Sequence, residues 1–193
     1  MNKILSLSTF ILAGVALTGC GQKVQYTEST HAKPLSTDFS FSDLNIIAQD
    51  MVTSMLTSPA TVQMTQEYRP LIVVDRVRNE TDQHINTQSI TDTIRTQLIR
   101  SGKFRFTDQA SRSAQKEEIE YQNYSGMVDQ NKATAMGKQL GAEYMLQGAI
   151  VSYTERNKSI VRKSYKMTLN LINLQTGIIE WADEVPVNKQ SKR

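Results

Sequence analysis

Residues 71–75 read Leu-Ile-Val-Val-Asp. Four consecutive apolar residues, three of them β-branched, ending on a carboxylate describe a central strand buried on both faces of an α/β sheet. Beyond a polar loop from Arg78 to Asn86, Ile90, Ile94 and Leu98 fall on one stripe of a helix from about Thr87 to Ser101, and Gly102 follows as the residue that ends it. Phe104 and Phe106 then alternate as a second strand. A strand–helix–strand unit of this kind implies a right-handed crossover, which makes its two strands parallel.

Upstream of that unit, Ser42 is placed to cap a helix whose apolar residues Leu44, Ile47, Ala48, Met51, Val52, Met55 and Leu56 keep a 3.6-residue period, and Ser58-Pro59 stops it. Downstream, two helices are predicted, Gln109 to about Asn123 and Lys132 to Leu140, the latter stopped by Gly141. The C-terminal third is strand-like. It offers Tyr144 to Tyr153, then Tyr165, Met167, Leu169 and Leu171 alternating with polar residues, then Ile178 to Val185 after a turn at Gln175-Thr176-Gly177. Trp181 shares a strand face with Ile179 and Val185, which predicts a packing role. The expected fold is therefore α/β, a mixed sheet of about five strands flanked by helices with a C-terminal antiparallel meander. It occupies residues 42–187, and residues 188–193, with Lys189, Lys192 and Arg193, are expected to form a frayed basic tail.

The first 19 residues have a different character. Met1-Asn2-Lys3 gives a positive start, and Ile4 to Leu17 is apolar but broken by Ser6, Ser8 and Thr9, too short for a permanent span of about 20 residues. Leu17-Thr18-Gly19-Cys20 matches the lipobox of bacterial lipoprotein precursors, and Cys20 is the only cysteine of the chain. No internal disulfide is possible, and Cys20 is expected to be the acylated first residue of the mature protein. Gly21 stands where an aspartate would resemble the inner-membrane retention signal, so the expected address is the periplasmic side of the outer membrane. Residues 20–41 form a polar tether, expected to be flexible.

The 193 residues are 39% hydrophobic and 21% charged, as in ordinary globular proteins. The formal charge of +3 is too small to argue for nucleic acid, which needs a clustered basic patch. His31 and His84 lack partner patterns, and the chain has no HExxH, no paired cysteines and no phosphate-cradling glycine loop. Asp75 sits where α/β enzymes carry a functional carboxylate, although capping its own loop accounts for it better. Glu117, Glu118 and Glu120, near Arg112 and Lys116, read as a solvated helix face. No nucleophile, activating base and oxyanion stabiliser come together, so no enzyme, cofactor or metal is expected.

An acylated cysteine, a polar tether and a capped helix precede Leu71-Ile72-Val73-Val74-Asp75-Arg76-Val77-Arg78-Asn79-Glu80-Thr81, with Ser101-Gly102-Lys103-Phe104 and Thr176-Gly177-Ile178-Ile179-Glu180-Trp181 downstream. This order resembles the LpoB family, outer-membrane lipoproteins that activate a class A penicillin-binding protein. The resemblance covers Leu44 to about Asp183 and implies a domain like the amino-terminal domain of TolB. It also implies a class A penicillin-binding protein, a bifunctional peptidoglycan synthase, as partner. The enterobacterial members have a long proline-rich tether, whereas Pro34 is the only proline of this one. An alternative from another class is the CsgG-like lipoprotein of curli secretion, which shares a similar α/β domain but adds pore-forming hairpins. For a partner-binding role, the loop after the first strand points to Arg76, Arg78, Asn79, Glu80 and Thr81.

If Cys20 is the only membrane attachment, Cys20→Ser moves the protein out of the membrane fraction. Persistence with outer membranes in high salt contradicts it.

Overall fold

The computed structural model describes residues 35–108, 110–135 and 140–192. Cys20, His31 and the greater part of the tether lie outside the described residues. The chain builds helices α1 (Phe41–Thr57) and α2 (Pro59–Met64), strands β1 (Leu71–Val74) and β2 (Arg78–Glu80), helix α3 (Thr87–Arg100), strand β3 (Arg105–Phe106), helix α4 (Arg112–Tyr124) and strands β4 (Tyr144–Arg156), β5 (Ile160–Asn173) and β6 (Ile179–Lys192).

These strands form one six-stranded mixed sheet in the order β3-β1-β4-β5-β6, with β2 continuing along β4 beyond β1. The β1–α3–β3 unit is parallel as the sequence implies, with Leu71 opposite Arg105 and Ile72 opposite Phe106. β4, β5 and β6 form the antiparallel meander.

Alternation along β5 decides where the core lies. Tyr165, Met167, Leu169 and Leu171 are at most 1% exposed and face the same way. Across the ladder they meet Leu146 and Ile150 of β4 and Trp181 and Val185 of β6 on the same face. Helices α1 and α3 cover that face, contributing Leu44, Ile47, Met51 and Met55 from one and Ile90, Ile94 and Leu98 from the other. Each such side chain contributes about 1.5–3 kcal/mol when fully buried. The opposite face of the meander carries Gln147, Asn170, Thr168 and Lys166, and Lys166 pairs with Glu184 at 2.9 Å. Helix α4 buries none of its residues.

Several local expectations are corrected. The first helix is capped by Ser40 rather than Ser42, because Ser40 and Asp43 form a reciprocal capping box. Ser58-Pro59 does stop the first helix, which ends at Thr57, but Pro59 then starts a second one, α2, where its missing N–H is harmless. The loop from Arg78 contains β2, which pairs with Ala149–Val151 in parallel. Asp129 to Ala133 make a turn, closed by the Lys132 and Ala133 amides on the Asp129 carbonyl, and Lys132 to Ala135 are not helical; Met136 to Gln139 lie outside the described residues. The basic tail is strand as far as Lys192, and Lys189 is 7% exposed.

Trp181 packs in the core, but Ile179 does not share its face. Leu171 pairs with Trp181 while Ile172 pairs with Ile179, so Glu180 is the extra residue of a β-bulge. Inserting one residue into a strand reverses the facing of everything before it. Ile179 is accordingly 54% exposed and Trp181 only 7%.

At Gly148 the backbones of β4 and β5 come too close for a side chain: a Cβ there would lie 2.0 Å from the Thr168 carbonyl oxygen. Gly148→Ala should destabilise the domain by at least the about 1–3 kcal/mol typical of overpacking. Urea unfolding of the two proteins measures the difference, and an unchanged midpoint contradicts the close approach.

Candidate functional site

The segment after β1 is shaped by a mismatch in length. Val74 pairs with Leu146 and Arg78 with Ala149, so three residues of this strand run opposite two of β4. The surplus is absorbed at Asp75–Val77. The Asp75 amide still bonds the Leu146 carbonyl at 2.8 Å, and Val77 turns inward to complete burial. Asp75, Arg76, Arg78, Asn79 and Glu80 are left exposed on one contiguous ribbon, with Thr81 half-buried at its end.

Within the ribbon the side chains divide by what they already hold. The Asn79 Nδ2 donates to the Gln83 carbonyl at 2.8 Å, and the Thr81 hydroxyl donates to Asn79 Oδ1 at 2.7 Å. These two shape the loop. Arg78 Nε lies 3.0 Å from Glu80 Oε1 in an exposed pair, which contributes little to stability and is easily exchanged for an outside partner. Asp75 Oδ1 accepts from the Arg76 amide at 2.8 Å, a loop-capping bond of the kind expected for it.

A cavity of about 810 Å³ opens beside this ribbon at the carboxyl ends of β1 and β3, the usual position for ligands in open α/β sheets. Asp75, Arg76, Asp92, Arg95, Thr107 and Asp108 line it. Arg95 is bound to Asp92 at 2.6 Å. The Ser111 hydroxyl, and after it the Ala110 amide, hold the Asp108 carboxyl below the usual carboxylate range. Asp75 lines this cavity and His84 a different one, beside Phe39 and Leu44. Glu117 and Glu118 are exposed, and Lys116 reaches Glu120 at 3.6 Å, which makes them a solvated helix face. Among the described residues no group of three or more His, Cys, Asp or Glu is arranged to hold a metal.

Sequence reasoning missed a polar network where the tether enters the domain. Lys189 Nζ lies 2.7 Å from Asp43 Oδ2 and donates to the Asp38 carbonyl at 2.6 Å, and both ionic side chains are at least nine-tenths buried. Lys163 Nζ lies 2.9 Å from Asp82 Oδ1, and this ammonium, with the Ser152 hydroxyl second, holds the Asp82 carboxyl below its usual range. The Tyr165 hydroxyl donates to Gln83 Oε1 at 2.7 Å or to the Thr37 carbonyl at 3.1 Å, and its ring meets that of Phe39 edge-on at 5.3 Å. Burial, with the Asp38 charge second, pushes the Tyr165 phenol up to about 12. Gln83 donates through Nε2 to Asp38 Oδ1 and accepts from the Phe39 amide at 3.1 Å. Thr37–Phe41 thus belong to the folded domain rather than to the tether. The overlooked signal was phase: Lys163 keeps the parity of Tyr165, and Lys189 that of Val185.

The structure thus defines a small mixed α/β domain with an exposed ribbon beside a charged cavity. The chain belongs to the peptidoglycan-synthase activator LpoB family, whose model matches residues 43–187. It is 26% identical over 148 residues to the penicillin-binding protein activator LpoB of Escherichia coli K12, an alignment covering 77% of this chain and 63% of that protein. The protein of the same name from Salmonella typhimurium is also 26% identical over 148 residues, covering 77% and 64%. The chain thus spans slightly less than two thirds of the length of these relatives. Among solved structures, the LpoB C-terminal domain from Escherichia coli aligns with a TM-score of 0.46 at 22% identity, covering 76% of this chain and 99% of that one. The family match favours this assignment over the curli-secretion alternative.

Removing one partner of a buried ion pair leaves the other charge uncompensated, at a cost of about 3–5 kcal/mol. Lys189→Met should lower stability by that amount in chemical denaturation, and Lys189→Met with Asp43→Leu should recover part of it. A single variant as stable as the parent refutes the buried pair.

Proposed function

We propose that this chain is a regulator of peptidoglycan synthesis that binds and activates a class A penicillin-binding protein. The observation that carries the reading is the family match, which spans residues 43–187 and so nearly the whole described domain. The relatives are named as activators, and a protein of that kind works by binding one state of its target better than another. In this reading the protein is not an enzyme and requires no cofactor.

Anchorage belongs to the same proposal. Acylation of Cys20 would hold the chain on the periplasmic side of the outer membrane, and residues 21–34 would link the lipid to the domain. Arg76, Arg78 and Glu80 are proposed to meet the partner, since they are exposed and no buried bond of the domain depends on them. Asn79 and Thr81 are proposed to support that surface by fixing its loop.

The chain from residue 21 onward, added to a purified class A synthase, should accelerate glycan polymerisation from lipid II. Charge reversal at Arg76 and Arg78 together should weaken the effect while leaving the melting temperature within a degree or two. Absence of both acceleration and complex formation at micromolar concentration overturns the reading.

A further inference from the structure

The meander extends past the helices to a tip that nothing above uses. Register brings Arg156 opposite Val161, Glu155 opposite Arg162, Arg162 opposite Gln190 and Ile160 opposite Lys192. The β4–β5 turn, closed by the Asn157 amide on the Ile160 carbonyl at 2.9 Å, adds Lys158 to the same end. Arg156, Lys158, Arg162 and Lys192 are all exposed. Only Glu155 stands among them, 3.3 Å from Arg162. Lys163 and Lys189, one turn of the ladder inward, are already matched by Asp82 and Asp43, and the exposed Asp38 lies 3.9 Å from Lys163. The tip therefore presents unbalanced positive charge, with Arg156, Lys158 and Lys192 in no ion pair among the described residues.

With Cys20 acylated as proposed, two further features would bring a membrane surface near it. The chain leaves the domain at this end, because Thr37 is bonded to Tyr165 and Asp38 to Lys189. From Leu35 back to Cys20 there are only 15 residues, which span at most about 50 Å.

We infer that the β4–β5–β6 tip is a docking surface for the anionic headgroups of a phospholipid bilayer, through Arg156, Lys158, Arg162 and Lys192. An acylated chain would then have two arrangements, tip down on its own membrane or held away at the end of its tether. The inference rests on the proposed anchorage at Cys20 and not on the synthase.

The test uses the chain from residue 21 onward, without the acyl group, and vesicles of phosphatidylcholine alone or with 30% phosphatidylglycerol. Sedimentation should show binding to the anionic vesicles only, weakening as salt is raised. Each basic residue removed should cost roughly fivefold, so Arg156→Gln, Lys158→Gln and Lys192→Gln together should lower association about 100-fold. A control with Arg100→Gln, Arg112→Gln and Lys116→Gln, equal in charge but on α3 and α4, should bind like the parent. The inference is overturned if anionic vesicles bind no better than neutral ones, or if the control loses as much as the tip variant. Binding of heparin without binding of vesicles overturns it too, and makes the tip a polyanion site. None of these outcomes alters the synthase assay, so the two readings fail separately.

Discussion

The meander can bury only one of its faces, and most of the architecture follows from that constraint. Tyr165, Met167, Leu169 and Leu171 require a cover, and among the described residues there is no second strand layer to supply one. Helix α1 meets the need by lying against β6 and α3, which is why a helix that begins the domain packs on the strand that ends it. The first and last elements are thereby held together. The buried Lys189–Asp43 pair fastens the same contact at its polar end, joining β6 to the capping box of α1.

That polar end also ties the tether to the exposed ribbon. Gln83 holds the Phe39 amide, the Asp38 carboxylate and the Tyr165 hydroxyl through its side chain, and receives Asn79 through its carbonyl. One glutamine thus links the point where the chain enters the domain to the loop proposed to meet the partner. A contact surface formed in this way inherits its geometry from the packing beneath it, since Val77 anchors the middle of the ribbon in the core.

Periodicity made the main elements legible in the sequence, and failures occur where period gives way to register. The stripe Ile90, Ile94, Leu98 and the alternation from Tyr165 to Leu171 both identify the faces that are buried. The bulge at Glu180 was illegible because a one-residue insertion leaves composition unchanged while reversing the facing of Ile179. β2 was hidden because Arg78-Asn79-Glu80 owes its strand conformation to the free edge of β4, not to any β propensity of its own. Of the ribbon, position was readable from the loop after a buried strand. The division between Arg78 and Glu80, which face outward, and Asn79 and Thr81, which fix the loop, required the hydrogen bonds.

One rim of the sheet ends in β3, only two residues long, while the other is β6, fourteen residues with its outer side unpaired among the described residues. An unpaired strand of that length is a template on which a second chain can crystallise into fibrils. Pro186 stands within it and lacks the amide hydrogen that an incoming strand would need. Asp183, Glu184 and Lys192 add charges that a stacked copy would have to bring against its own. Anchored through Cys20 as proposed, the protein would meet its own copies on a membrane far more often than a free protein does. For such a chain, a proline in the last strand is a safeguard against self-assembly rather than a flaw in the sheet.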